Sequence, residues 1–92
     1  MKTIRIFYLE NCPYCHKARR AVQQLFTENP EFKALPIQWI EESREPETAG
    51  AYDYYYVPSV FSDRTKLYEC SPSDTYDDIC EHLRSAMQSC LA

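Results

Sequence analysis

Two cysteines separated by two residues, Cys12-Pro13-Tyr14-Cys15, fall where one hydrophobic pattern stops and another starts. Before them, Ile4 to Leu9 is a compact run of β-branched and aromatic residues broken by Arg5, which predicts a buried strand ending at Glu10-Asn11. After them, Ala18, Ala21, Val22, Leu25 and Phe26 recur at helical spacing as far as Asn29-Pro30. Pro13 suits a first helical position, so the pattern predicts a helix over 13–28 with Cys12 at its mouth. A short strand over 37–40 follows Pro36, and the right-handed crossover rule makes it parallel to the first.

The remainder extends this start to an α/β chain. Pro46 can open a short helix reaching about Tyr52. Ser59 to Ser62 and Leu67 to Cys70 read as strands around the polar turn Asp63-Arg64-Thr65-Lys66, which makes a hairpin. Ser71-Pro72-Ser73-Asp74 supplies a capping hydroxyl, a proline for the first helical position and a carboxylate. Tyr76, Ile79, Cys80, Leu83 and Met87 then repeat at helical spacing, predicting a last helix over 72–89. The order is β-α-β-α-β-β-α, with no internal repeat and no low-complexity tract.

Size and charge exclude several classes of function. A chain of 92 residues is expected to fold as a single domain over 1–92, and 45% apolar residues suffice for an ordinary core. Ten Lys and Arg against fourteen Asp and Glu leave a net charge of −4, which argues against nucleic acid or anionic membrane as partner. No apolar run approaches the ~18 residues that cross a bilayer, and the N-terminal stretch is too short for a secretory signal. Five cysteines are an odd number for a disulfide framework, so a reducing, cytoplasmic setting is expected. In that setting a close cysteine pair points to catalysis or metal binding rather than to a structural bridge.

At the mouth of a helix Cys12 faces unpaired first-turn N–H groups, and the positive end of the helix dipole favours thiolate over thiol. His16, Lys17, Arg19 and Arg20 add positive charge, and no acid stands between Glu10 and Glu28. Cys12 is therefore the expected attacking thiol. Cys15, one turn on, is the expected resolving thiol, able to displace a mixed disulfide from Cys12. A metal or iron–sulfur module using Cys12 as ligand is the alternative. Zinc would need two further ligands, with Cys80 and His82 nearest by spacing, although the two do not share a helix face. Cys12 to His16 also fits the C-x-x-C-H haem attachment pattern, without an export signal to support it.

The chain resembles glutaredoxins within the thioredoxin-like superfamily through three features: Cys12-Pro13-Tyr14-Cys15 after a strand, Val57-Pro58 before a hairpin, and the closing helix. The resemblance implies a four-stranded mixed sheet flanked by three helices and a cis bond at Val57-Pro58 beside the cysteines. It further implies a thiol-disulfide oxidoreductase that holds no cofactor and reduces protein or glutathione mixed disulfides. Electrons would come from glutathione or from a thioredoxin-reductase-type donor. Pro13, Tyr14, Tyr56, Val57 and Pro58 are the implied substrate contacts, with Val57 offering its backbone as if adding a strand. The protein is expected to act as a monomer on disulfide-containing partners.

Two departures from the glutaredoxin pattern favour protein disulfides over the tripeptide. Leu9 stands where a basic residue usually precedes the first cysteine, and Leu67-Tyr68-Glu69-Cys70-Ser71-Pro72 lacks the usual Gly-Gly. Tyr54, Tyr55 and Tyr56 abut Val57 and are candidates for an aromatic wall. Cys80 is expected on an apolar helix face, Cys90 at a mobile C-terminus, and Cys70 at a strand end close to the site.

Overall fold

The computed structural model describes residues 1–91. Its elements are β1 (Ile4–Tyr8), α1 (Pro13–Glu28), a 3-10 turn (Pro30–Ala34), β2 (Ile37–Glu41), α2 (Pro46–Gly50), β3 (Ser59–Ser62), β4 (Thr65–Glu69) and α3 (Tyr76–Leu91). The four strands form one mixed sheet in the order β2-β1-β3-β4, with β1 parallel to β2 and both remaining pairs antiparallel. This is the expected four-stranded mixed sheet with three helices, and α1 has the expected bounds.

Strand alternation sorts the apolar side chains onto two faces. Ile4, Ile6 and Val60 point toward α1 and α3, where they join Ala18, Val22, Leu25, Ile79, Leu83 and Met87 in the main core. Phe7, Ile40 and Phe61 point the other way and are covered by Ala49, Tyr52, Tyr54 and Val57. Phe7 is fully buried, with its ring centroid 4.8 Å from that of Tyr52 and 5.0 Å from that of Tyr54. Burial of each such ring contributes about 1.5–3 kcal/mol. Tyr54 is thereby tied to the sheet, while Tyr55 is 82% and Tyr56 45% exposed. The three tyrosines do not form one wall.

Several expected boundaries move. The hairpin turn is shorter than the four polar residues suggest: β4 begins at Thr65, leaving Asp63-Arg64 as the turn. Asp63 adopts φ 53°, a left-handed conformation that Asp tolerates better than most residues. A register shift between Val60 and Phe61 leaves Leu67 as the extra residue of β4, and both Leu67 and Tyr68 reach the main core.

The last helix starts four residues later than expected, at Tyr76 rather than 72. Asp74 accepts hydrogen bonds from the Tyr68 hydroxyl at 2.6 Å and the Ser71 N–H at 3.0 Å, which holds 71–74 as a turn against β4. The capping box then falls on Thr75 and Asp78: Thr75 Oγ1 accepts from the Asp78 N–H at 3.2 Å, and Asp78 Oδ2 accepts from the Thr75 N–H at 2.9 Å. At the other end α3 runs to Leu91 and Cys90 is buried, contrary to the expected mobile terminus. Cys90 continues the stripe Ile79, Leu83, Met87 at helical spacing, and its carbonyl accepts the Lys2 N–H at 3.0 Å.

Candidate redox site

β1, an inner strand, delivers the chain to one end of the sheet, and the Leu9–Asn11 loop turns it into α1. Cys12 is the N-cap of that helix, extended at φ −89° and ψ 122°, and its side chain makes no capping bond. The half-buried sulfur lies 3.9 Å from the Val57 carbonyl oxygen and also pairs with the Cys15 thiol. Cys15, on the first turn of α1, is 1% exposed and accepts the Leu9 N–H at 3.5 Å. Its thiol is pushed up from 9.0 to about 12, chiefly by burial. The Leu9 N–H works against that rise, while the neighbouring Cys12 and, more weakly, the charge of Cys70 add to it. The two thiols of the motif thus differ in access: one faces out, and its neighbour is held protonated beneath it. All five cysteines are free thiols.

The Val57-Pro58 bond is cis, and Pro58 is buried at the head of β3. Val57 is half-buried beside Cys12, with Tyr56 exposed next to it. Tyr14 is half-buried, its hydroxyl donating to the Pro72 carbonyl at 2.6 Å, so the cysteine helix is tied to the 71–74 turn. Pro13 is exposed. The structure therefore gathers Cys12, Cys15, Pro13, Tyr14, Tyr56, Val57 and Pro58 around one end of the sheet. Cys70 joins them from below: it is buried, and its N–H donates to the Pro58 carbonyl at 3.0 Å.

No family model matches the chain, and no curated protein matches its sequence. Solved structures do match. Thioredoxin 1 of the thermophilic eubacterium Thermosipho africanus superposes with a TM-score of 0.61 over 98% of this chain and 99% of its own, at 12% identity. The germline-specific thioredoxin Deadhead of Drosophila melanogaster gives 0.61 at 17% identity over 98% of this chain and 80% of its own. This chain has the thioredoxin fold. Human ERp44 in its zinc-bound form is also similar, with a TM-score of 0.58 and 13% identity over 92% of this chain and 26% of its own.

Within this thioredoxin fold three carboxylates hold the site's loops, and sequence reading did not single them out for that work. Glu41, 7% exposed at the end of β2, accepts the Glu10 N–H at 3.1 Å, the Ser43 N–H at 2.7 Å and the Ser43 hydroxyl. The Ser43 hydroxyl leads in holding its carboxyl below the ordinary range, against partial burial and with the two N–H groups in support. Glu69 accepts the N–H groups of Tyr55 at 2.9 Å and Tyr56 at 2.7 Å. Desolvation would raise its pKa, but Lys66 and these two N–H groups together outweigh it and hold it low. Asp74 shows the same balance, with desolvation outweighed by the Tyr68 hydroxyl and the Ser71 N–H. Parallel pairing of Tyr8 with Glu41 was the available signal for the first of these, since it brings the end of β2 beside the cysteine loop.

The cations of α1 are not gathered on the cysteines. Lys17 lies over the Tyr14 ring, Arg19 over Tyr8 and Trp39, and Arg20 over Tyr76, while the His16 ring donates to the Glu10 carbonyl. Cys80 is buried, whereas His82 is exposed and stacked on Tyr68, so they do not meet as ligands. Among the described residues no group of three or more His, Cys, Asp or Glu side chains converges as a metal site would require. No described helix is long and apolar enough to cross a membrane.

Proposed function

We propose that this protein is a thiol-disulfide oxidoreductase that reduces protein or glutathione mixed disulfides through Cys12 and Cys15. The observation that carries the reading is the asymmetry of the pair: a partly exposed sulfur at a helix mouth beside a buried thiol raised to about 12. Cys12 as thiolate attacks one sulfur of the substrate disulfide, and the other sulfur leaves as a thiolate that takes up a proton. Cys15 then gives up its proton and attacks the Cys12 sulfur, releasing the second substrate thiol. Two electrons pass to the substrate, and a Cys12–Cys15 disulfide remains.

Burial is the main reason that Cys15 stays protonated, but the Cys12 hydrogen bond and charge add to it. Once Cys12 is held in a mixed disulfide its charge is gone, and Cys15 ionises more readily at the moment when it must attack. Pro13, Tyr14, Tyr56, Val57 and Pro58 would line the substrate, with the Val57 backbone beside the reacting sulfur. Glutathione or a thioredoxin-reductase-type donor would restore the dithiol. A carboxylate at position 69, beside Tyr55 and Tyr56, favours a protein substrate over the γ-glutamyl tripeptide. The setting would be the cytoplasm, with the protein acting as a monomer.

Serine substitution separates the two thiol roles. Cys12→Ser abolishes reduction of a mixed disulfide, whereas Cys15→Ser traps the substrate on Cys12 as an adduct visible by intact mass. Reductase activity that survives Cys12→Ser rules the reading out.

A further inference from the structure

We infer that the outer face of α1 is a docking groove for an acidic, extended segment flanking the disulfide of a protein substrate. The inference rests on the reductase reading and names the chemistry of its partner. Three cavities follow one another away from Cys12. The first, about 320 Å³, contains Cys12 and Glu10; the second, about 270 Å³, contains Glu10, Cys15 and Arg19; the third, about 480 Å³, runs along α1 past Arg19, Arg20, Phe26, Trp39 and Tyr76. Glu10 borders the first two and Arg19 the last two, so the three cavities neighbour one another from Cys12 along α1.

The charge changes along this path: Glu10 and Glu41 line the first cavity, Glu10 and Arg19 the second, and Arg19 and Arg20 the third. The protein carries a net charge of −4, yet no carboxylate lines the third cavity. Arg19 and Arg20 form no salt bridge among the described residues; each guanidinium is laid on aromatic rings, Arg19 at 4.4 Å from the Trp39 centroid and Arg20 at 5.0 Å from that of Tyr76. Stacking fixes the guanidinium planes without neutralising them, and their N–H groups remain free for a carboxylate. Glu10, which borders the first two cavities, and Glu28, at the end of α1, are already engaged with Arg44 and Arg84. Arg19 lies seven residues beyond Cys12 on a helix rising about 1.5 Å per residue, so the groove begins roughly 10 Å from the sulfur. An extended polypeptide spans that in about three residues, and a segment entering at Cys12 places its flanking side chains on the arginines.

Trp39, the only tryptophan, sits under Arg19 and reports occupancy without any turnover. The test titrates the protein with two cysteine-free peptides of equal length, one rich in Asp and Glu and the other in Lys, and follows Trp39 emission at low salt. The acidic peptide should bind at least about tenfold more tightly. High salt and the double variant Arg19→Gln/Arg20→Gln should each remove that preference, whereas Arg64→Gln, a loss of charge at the distant hairpin turn, should keep it. Equal binding of the two peptides, or a preference that persists in the double variant, overturns the inference.

A kinetic arm uses mixed disulfides of the same two sequences carrying one cysteine. Faster reduction of the acidic one, again about tenfold in kcat/KM, supports the groove. Equal reduction of both overturns the groove and leaves the reductase reading standing. Selective acidic binding with neither disulfide reduced overturns the reductase reading and leaves the acidic site.

Discussion

The Cys12 sulfur lies 3.9 Å from the carbonyl oxygen of Val57, 45 residues further along the chain. On the proposed reading, a group bonded to Cys12 would extend along the Tyr56-Val57 backbone. Glu69 holds that segment through the N–H groups of Tyr55 and Tyr56, and Glu41 holds the Glu10 end of the loop that carries Cys12. The reactive sulfur is placed by two carboxylate anchors, one on each side.

Access separates Cys12 from the other four cysteines. Cys15, Cys70, Cys80 and Cys90 are buried, and Cys15 is raised to about 12, so it is protonated at pH 7. Iodoacetamide applied to the folded, reduced protein at pH 7 should give one adduct, mapping to Cys12. Modification of Cys15 at a comparable rate would contradict the assignment of roles.

Stability should be level between about pH 5 and pH 9 and fall on both sides. Burial raises Cys15 above 9.0, and burial also raises Tyr54 and Tyr68 above 10.0. The stabilisation linked to these raised groups is complete below their unfolded values and is lost as pH rises toward the folded ones. Glu41 and Glu69 lie below 4.5 and Asp74 below 3.8, so their contribution is present above those values and disappears as pH falls. Urea midpoints across pH should trace this plateau, and Tyr68→Phe should blunt the alkaline limb. A midpoint still rising at pH 10 contradicts the burial of these groups.

Glu69→Ala removes the acceptor shared by the Tyr55 and Tyr56 N–H groups. Hydrogen exchange at those two amides should accelerate at least about tenfold, with a loss of about 1.5–3 kcal/mol in global stability, the range for hydrogen bonds to charged groups. Unchanged exchange there would show that the segment is held by packing alone.

Glu41→Ala leaves the Glu10 N–H and both Ser43 donors without their acceptor in a largely buried setting. A lower urea midpoint is expected, and the Cys12 alkylation rate should change with it because the loop carrying Cys12 loosens. A destabilised variant with an unchanged Cys12 rate would separate Glu41 from the site.

Legibility in the sequence followed the range of the interactions. Helix α1 could be read to the residue because Pro13, a five-member apolar stripe and Asn29-Pro30 are all local signals. The hairpin could be read as a hairpin, but its register turns on the extra residue Leu67, which shows only when β4 is laid against β3. The start of α3 was misplaced because Asp74 bonds back to Tyr68 instead of capping a helix, leaving Thr75 and Asp78 to do so. The placement of Cys12 and Cys15 at the mouth of α1 was legible for the same local reason, whereas that of Cys90 was not. The carboxylate anchors were not, since Glu41 reaches Glu10 across 31 residues and Glu69 reaches Tyr55 across 14. Nor was the fate of Arg19 and Arg20, whose ring partners Trp39 and Tyr76 come from other elements.

The central claim is that Cys12 and Cys15 form a working dithiol couple, and a redox titration tests it most directly. Purified protein is equilibrated in glutathione buffers of stepped potential, and intact mass is read at each step. The account predicts a single transition with a loss of about 2 Da and no adduct, mapping to a Cys12–Cys15 disulfide. No change at either cysteine across the whole range would contradict it.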